Sequence, residues 1–362
     1  MRSTFSFSAL HHRPAVRTTL SCVFILFMLA SAHLLMVIVN RAEHAVAAPQ
    51  PSAGLEARLI SDRPLVEELE GALHKSRSPT DRAVLEAALN DARNGKPVPL
   101  RTLPVTPFLA KATLLLTLLG ALLVWLTSRL KGDAAQSIVG VFAGNLLWTG
   151  AVEYGLTIGA RALGIAKTVG VMDGELVGIY GEYVLMKHSW GGFALVMAYL
   201  LFLESSRCPV FLVARAKAPV MRGPIASGRI DNFGPRTAFQ YATTVWGFYL
   251  LLLWAYDEDL FGVHGVFTKL VLFGALAGTL YCTYRLHQTK GWGPAVRYAI
   301  GAMIVAWTPI EIAGKWGVFR EPWLLLEPET LVIFFGGLAV GTWMLWRAQR
   351  RPSTSKTTLT TP

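Results

Sequence analysis

Long apolar runs alternate with short polar breaks along most of the chain. The first run is Leu20 to Val39, and others follow at Phe108–Leu126, Ile138–Ala160, Val184–Leu203, Ala238–Trp254, Val266–Tyr284, Tyr298–Ile312 and Leu331–Trp346. A hydrocarbon core about 30 Å thick is crossed by roughly 20 helical residues, so these runs predict about eight membrane-spanning helices. The seventh run is short and carries a potential break at Pro309, which removes one backbone donor. The first run is long enough to span and reads as an uncleaved anchor, although the following "AVAA" resembles a signal cleavage site.

The stretch from Arg41 to Thr106 is different. Leu65, Val66, Leu69 and Leu73 fall at helical spacing after a cap-like Ser61-Asp62. Val84, Leu85 and Leu89 repeat the pattern, with Thr80 or Asp81 as cap and Gly95 as stop. This predicts a small helical hairpin outside the membrane, too short for an enzyme domain and suited to docking or spacing. The expected fold class is therefore all-α: a polytopic helical bundle with a periplasmic hairpin between its first and second spans. Residues 1–40 form a tail and anchor, 41–106 the hairpin and 107–347 a seven-helix membrane domain. A basic loop at 206–236 interrupts that domain, and 348–362 are expected to be a disordered cytoplasmic tail.

Composition supports the membrane class. The 362 residues are 53% hydrophobic and 16% charged, with a mean hydropathy of +0.43; a soluble domain carries about 25% charged residues. The net charge of +11 sits mainly in alternate loops. Arg129 and Lys131 lie in one, Arg215, Lys217, Arg222, Arg229 and Arg236 in the next, and Arg285, Lys290 and Arg297 in a third. The intervening loops hold Asp173, Glu175 and Glu182, then Asp257, Glu258 and Asp259, then Glu321, Glu327 and Glu329. Positive loops face the cytoplasm, which places both termini inside and the protein in the cell's inner membrane. No basic stretch is interleaved with aromatics, so nucleic acid is not an expected partner. Of the three cysteines, Cys22, Cys208 and Cys282, none lies in the long outer loop, and no disulfide is expected there.

The candidate chemistry is a set of ionisable groups at the outer ends of the spans. Glu153 lies in the third run, where a carboxylate must be protonated, paired or wet. Glu311 lies in the seventh, and "WTGAVE" at Trp148–Glu153 echoes "WTPIE" at Trp307–Glu311 with one residue less, as a parallel internal repeat would leave. Glu182, Tyr183, Lys187 and His188 cluster where the fourth span begins, and His264 sits at the same level before the sixth. Glu153, Glu182 and Glu311 are thus candidate acid/base groups. His188, His264 and Glu153 form a candidate metal site, and the two histidines alone are candidate axial haem ligands. In the basic inside loop, Arg222, Arg229, Asp231 and Arg236 are candidates for holding an anionic lipid headgroup or a partner. HExxH, GxxxxGK[ST] and GxSxG motifs are absent, which argues against a zincin-type protease, a P-loop ATPase and an α/β-hydrolase.

Three functional classes follow. The first is a membrane subunit of an envelope redox or proton-handling system, holding a metal or haem and docking a periplasmic protein through the hairpin. The second is a proton-coupled secondary transporter with Glu153 and Glu311 as coupling sites. The third is a lipid-modifying or lipid-binding membrane protein.

Overall fold

Every apolar run is helical in the computed structural model, which describes residues 14–46, 56–61, 63–76, 78–172, 174–202, 232–258 and 260–349. The chain opens with α1 (Pro14–Val46), followed by strand β1 (Arg58–Leu59), helices α2 (Leu65–Lys75) and α3 (Pro79–Arg93), and β2 (Arg101–Thr102). Then come α4 (Pro107–Thr127) and α5 (Asp133–Leu147), which passes through a π-helical turn (Trp148–Tyr154) into α6 (Gly155–Ala162). Strands β3 (Ile165–Ala166), β4 (Thr168–Met172) and β5 (Glu175–Ile179) precede α7 (Gly181–His188) and α8 (Trp190–Phe202). The second half holds α9 (Phe233–Ala255), α10 (Val266–His287) and α11 (Trp292–Lys315). Helix α12 (Pro328–Leu331) then leads through a second π turn (Val332–Gly336) into α13 (Gly337–Gln349).

Among the described residues, six helical segments are long and apolar enough to cross a membrane: α1, α4, the continuous α5–α6 segment, α10, α11 and the segment from Pro328 to Gln349. Two predicted spans fall short of that standard among the described residues. The fourth is divided at Ser189 into α7 and α8, and the fifth, α9, carries Gln240, Thr243 and Thr244 on a buried polar face. Pro309 does not end the seventh, because α11 continues through it to Lys315.

Two departures concern the polar stretch. First, α3 is capped by Ser78, whose hydroxyl accepts from Asp81 N–H, rather than by Thr80 or Asp81, and the N-cap of α2 is Pro64. Second, the hairpin is not purely helical. Leu69, Leu85 and Leu89 form a small core with Leu100, Val169 and Leu176, so the β4–β5 hairpin closes the cap from a distant part of the sequence. Strand β5 pairs antiparallel with β4 and parallel with β2, while β1 pairs parallel with β3. Two-residue strands leave no periodicity to read, and their partners are remote in sequence. The outer ends of α1 and α6, beside the cap, are tied together by Arg161, whose guanidinium donates to both Glu43 carboxylate oxygens at 2.6 and 3.3 Å. Thr106 donates to the same carboxylate at 2.8 Å.

Two stretches of the bundle carry the same landmarks at the same spacing. Helices α4 and α10 start at Pro107 and Val266, and each is followed, at equal separations, by a Lys-Gly pair (Lys131-Gly132, Lys290-Gly291) and a Trp-Thr pair (Trp148-Thr149, Trp307-Thr308). Gly132 and Gly291 are the N-caps of α5 and α11, with φ of 96° and 87°, a conformation that glycine adopts without steric cost. The packing interchanges in the same way. Helix α9 packs on α5 while its counterpart α1 packs on α11, and α13 lies on α1 as α8 lies on α9. Helices α5 and α11 meet at the centre and run parallel, since the Asp133 carboxylate at the start of α5 pairs with Arg297 in the first turns of α11, with an Nη2–Oδ2 distance of 3.1 Å. Arg297 is 2% exposed and also donates to Ser137. Gly140 and Gly144 let α9 approach closely; a Cβ at Gly144 would sit 2.6 Å from the Ala238 carbonyl oxygen. Helices α4 and α10 hold the outer positions and present Leu114, Leu115, Leu118, Leu270, Phe273 and Leu280 to the exterior, as lipid-facing surfaces do.

Candidate functional site

Between the two halves and beneath the cap lies a cavity of about 1200 Å³. Glu153 and Glu182 line it from the first half and Glu311 from the second, so the three predicted carboxylates do meet one space. Each is half-buried, its exposed surface turned to that space.

The π turn sets the position of Glu153. Its i→i+5 pattern absorbs one residue more than an α turn, and such turns recur at functional sites. Glu153 therefore lies one π turn beyond Trp148 as Glu311 lies one α turn beyond Trp307. In both places the indole of the preceding turn lies beside the carboxyl. The one-residue mismatch between "WTGAVE" and "WTPIE" thus disappears in three dimensions. Gly150 makes room for the bulge, since a Cβ there would come within 2.8 Å of the Thr117 backbone nitrogen on α4.

The surroundings of the two carboxylates differ. Glu153 has Tyr249 as a neighbour on its other side and Glu182 as a second carboxyl nearby. Trp148, Tyr249, Tyr183 and Tyr180 form a continuous aromatic row: Trp148 to Tyr249 at 6.1 Å edge-on, Tyr249 to Tyr183 at 6.3 Å edge-on, and Tyr183 to Tyr180 at 5.6 Å stacked. Tyr180 is the left-handed N-cap of α7, with φ of 60°, unusual for a residue with a side chain. Burial pushes the Glu182 carboxyl above its ordinary range, and Arg161 partly offsets the rise. Burial and the charges of Glu182 and Glu153 also raise the Tyr183 hydroxyl, which stays protonated. Glu311, by contrast, has His33, Glu321 and Lys315 as charged neighbours. The His33 ring stacks on Trp307 at 5.6 Å, and its Nδ1 donates to the Leu29 carbonyl at 2.9 Å, which leaves Nε2 for other partners.

The predicted histidine pair does not join this site. His188 is exposed, and its Nδ1 donates to the Val184 carbonyl at 2.8 Å within α7. His264 is exposed and stacks on Trp316 at 5.7 Å. Neither lines the cavity, and among the described residues no three His, Cys, Asp or Glu side chains are grouped to hold a metal ion. The expected site of His188, His264 and Glu153 is corrected accordingly: equal depth in the membrane left each residue's direction around its helix unspecified. The histidine that does reach the cavity is His33, an ionisable residue inside the first apolar run, and that position was its available signal. Of the basic-loop candidates, Arg236 is half-buried in the first turn of α9, while Arg222, Arg229 and Asp231 lie outside the described residues.

Compared with known proteins, the chain matches no family model, no curated protein and no solved structure.

Proposed function

We propose that the protein is a proton-coupled secondary transporter of the inner membrane, with both termini in the cytoplasm, the cap outside, and eight helices arranged as two parallel four-helix repeats. One observation carries the reading: Glu153 and Glu311 occupy corresponding positions in the two halves and face one cavity at their interface. Transporters built from repeats place substrate and coupling-ion sites at the repeat interface, where helices depart from regular geometry. Here the π turn under Glu153 is such a departure. Intramembrane carboxylates are common proton carriers in pumps and transporters. The cavity also exceeds the roughly 300–1,000 Å³ of ordinary small-molecule sites, leaving room for a solute and water. A cofactor-bearing redox subunit has less support, because its proposed ligands His188 and His264 point elsewhere.

The test is proton flux in proteoliposomes. An imposed pH gradient should collapse faster when the right member of a solute panel of amines, amino acids, sugars and carboxylates is added. Glu153→Gln and Glu311→Gln should each slow that flux about ten-fold or more, as loss of an intramembrane proton carrier would. Solute-independent behaviour across the panel, or full flux in both variants, would refute the assignment.

A further inference from the structure

The two related half-sites have diverged in charge, and the divergence identifies a solute class. At the Glu311 half-site, two carboxylates, Glu311 and Glu321, share their surroundings with the cationic Lys315 and the basic His33. At the Glu153 half-site, two carboxylates, Glu153 and Glu182, face the cavity, and the nearby guanidinium of Arg161 is already bound bidentately by Glu43. That half-site is therefore the more acidic one, since the guanidinium beside it is shared with Glu43.

Its remaining wall is aromatic. Trp148, Tyr183 and Tyr249 are set edge-to-face around Glu153, with ring centroids 6.1 and 6.3 Å apart along the row. Ring faces attract cations, most strongly where water is excluded, and aromatic cages of this kind recognise alkylammonium groups. Polar capacity is also left over: Thr149, fully buried on the cavity wall, has an Oγ1 with no hydrogen-bond partner. A hydrated inorganic cation gains little from aromatic faces, whereas an alkylammonium ion uses both the rings and the carboxylates.

From this asymmetry we infer that the Glu153 half-site binds an organic ammonium ion, held between the Trp148, Tyr183 and Tyr249 rings with Glu153 and Glu182 as counter-charges. The inference rests on the transporter reading for its physiological role, but the binding itself does not need transport. The same ammonium chemistry occurs in a soluble amine and in an ethanolamine lipid headgroup.

Isothermal titration of the full-length protein in an ethanolamine-free detergent separates these sources. The probes are benzylammonium, its neutral analogue benzyl alcohol, and a short-chain phosphatidylethanolamine. Saturable binding of benzylammonium, with benzyl alcohol at least ten-fold weaker, is the expected result and makes the solute a soluble amine. Binding of the phosphatidylethanolamine alone also supports the site and makes its source a lipid headgroup. Glu153→Gln should weaken binding at least ten-fold and Tyr183→Leu several-fold, while His264→Gln, outside the cavity, should leave it within three-fold of wild type. Absence of binding to either ammonium probe, equal binding of benzyl alcohol, or wild-type affinity in both Glu153→Gln and Tyr183→Leu would overturn the inference. In the proteoliposome assay, flux driven by a sugar or carboxylate alone would overturn it too, yet leave proton coupling intact.

Discussion

At the scale of single residues, the decisive feature is a carboxylate whose environment disfavours charge. Glu182 shows this outside the spans, where burial raises its carboxyl and Arg161 only partly compensates. As pH rises from the ordinary carboxylate value, the unfolded chain loses its proton first, so the folded state binds more protons and stability falls until the raised value is passed. Thermal unfolding in detergent should show it: the midpoint of wild type should drop more between about pH 5 and pH 8 than that of Glu182→Gln, which has no such proton to lose. Parallel profiles for the two proteins would contradict the assignment. The acids Glu153 and Glu311 were legible as candidates because ionisable groups at membrane depth are rare and costly, and Glu182 because it clusters with Tyr183, Lys187 and His188 at the start of the fourth span. The histidines were not, because His188 and His264 share that depth but are exposed away from the cavity.

At the scale of elements, the helix ends that carry the cap are joined by one buried ion pair. Glu43, on α1, is 4% exposed and Arg161, on α6, 16%. Glu43→Gln leaves the guanidinium buried without its counter-charge and should destabilise the cap by about 3 kcal/mol, the usual cost of breaking such a pair. Limited proteolysis within residues 56–102 should accelerate accordingly, and Thr106→Val, which loses the hydrogen bond to Glu43 and the N-cap bond from Leu109 N–H, should cost about 2 kcal/mol. Unchanged proteolysis in Glu43→Gln would show that the cap is held by other contacts. The helices α2 and α3 were readable from their stripes, since Leu69, Leu85 and Leu89 recur at the helical period and are buried. The β4–β5 hairpin that completes their core was read as an acidic loop: its strands pair locally across a tight turn, and only the pairing of β5 with β2 and the core contacts with α2 and α3 are remote in sequence.

At the scale of the whole molecule, the pseudo-symmetry organises everything else. Helices α5 and α11 form the centre, α4 and α10 the outer faces, and the cavity opens where the halves meet beneath the cap. The proposed orientation makes a direct prediction for a chain whose cysteines are replaced. An impermeant thiol reagent should label Glu86→Cys, on the exposed face of α3, in intact spheroplasts. It should reach Lys290→Cys, in the turn between α10 and α11, only after permeabilisation. Labelling of both positions from one side would invalidate the topology.

The helices themselves were written in the order of residues. An apolar run of spanning length closes its backbone hydrogen bonds within a few neighbours, and lipid admits little else, so its structure is local and readable. The paired Trp and Glu residues of the two halves were likewise visible as letters. Their shared geometry was not. It needed the π turn to absorb one residue, the glycines to let α5, α9 and α4 approach, and the folding of distant segments to bring Glu153, Glu182, Glu311 and His33 around one cavity. Such meetings depend on the direction each side chain takes around its helix and on contacts between remote parts of the chain, and only the packed tertiary structure settles either.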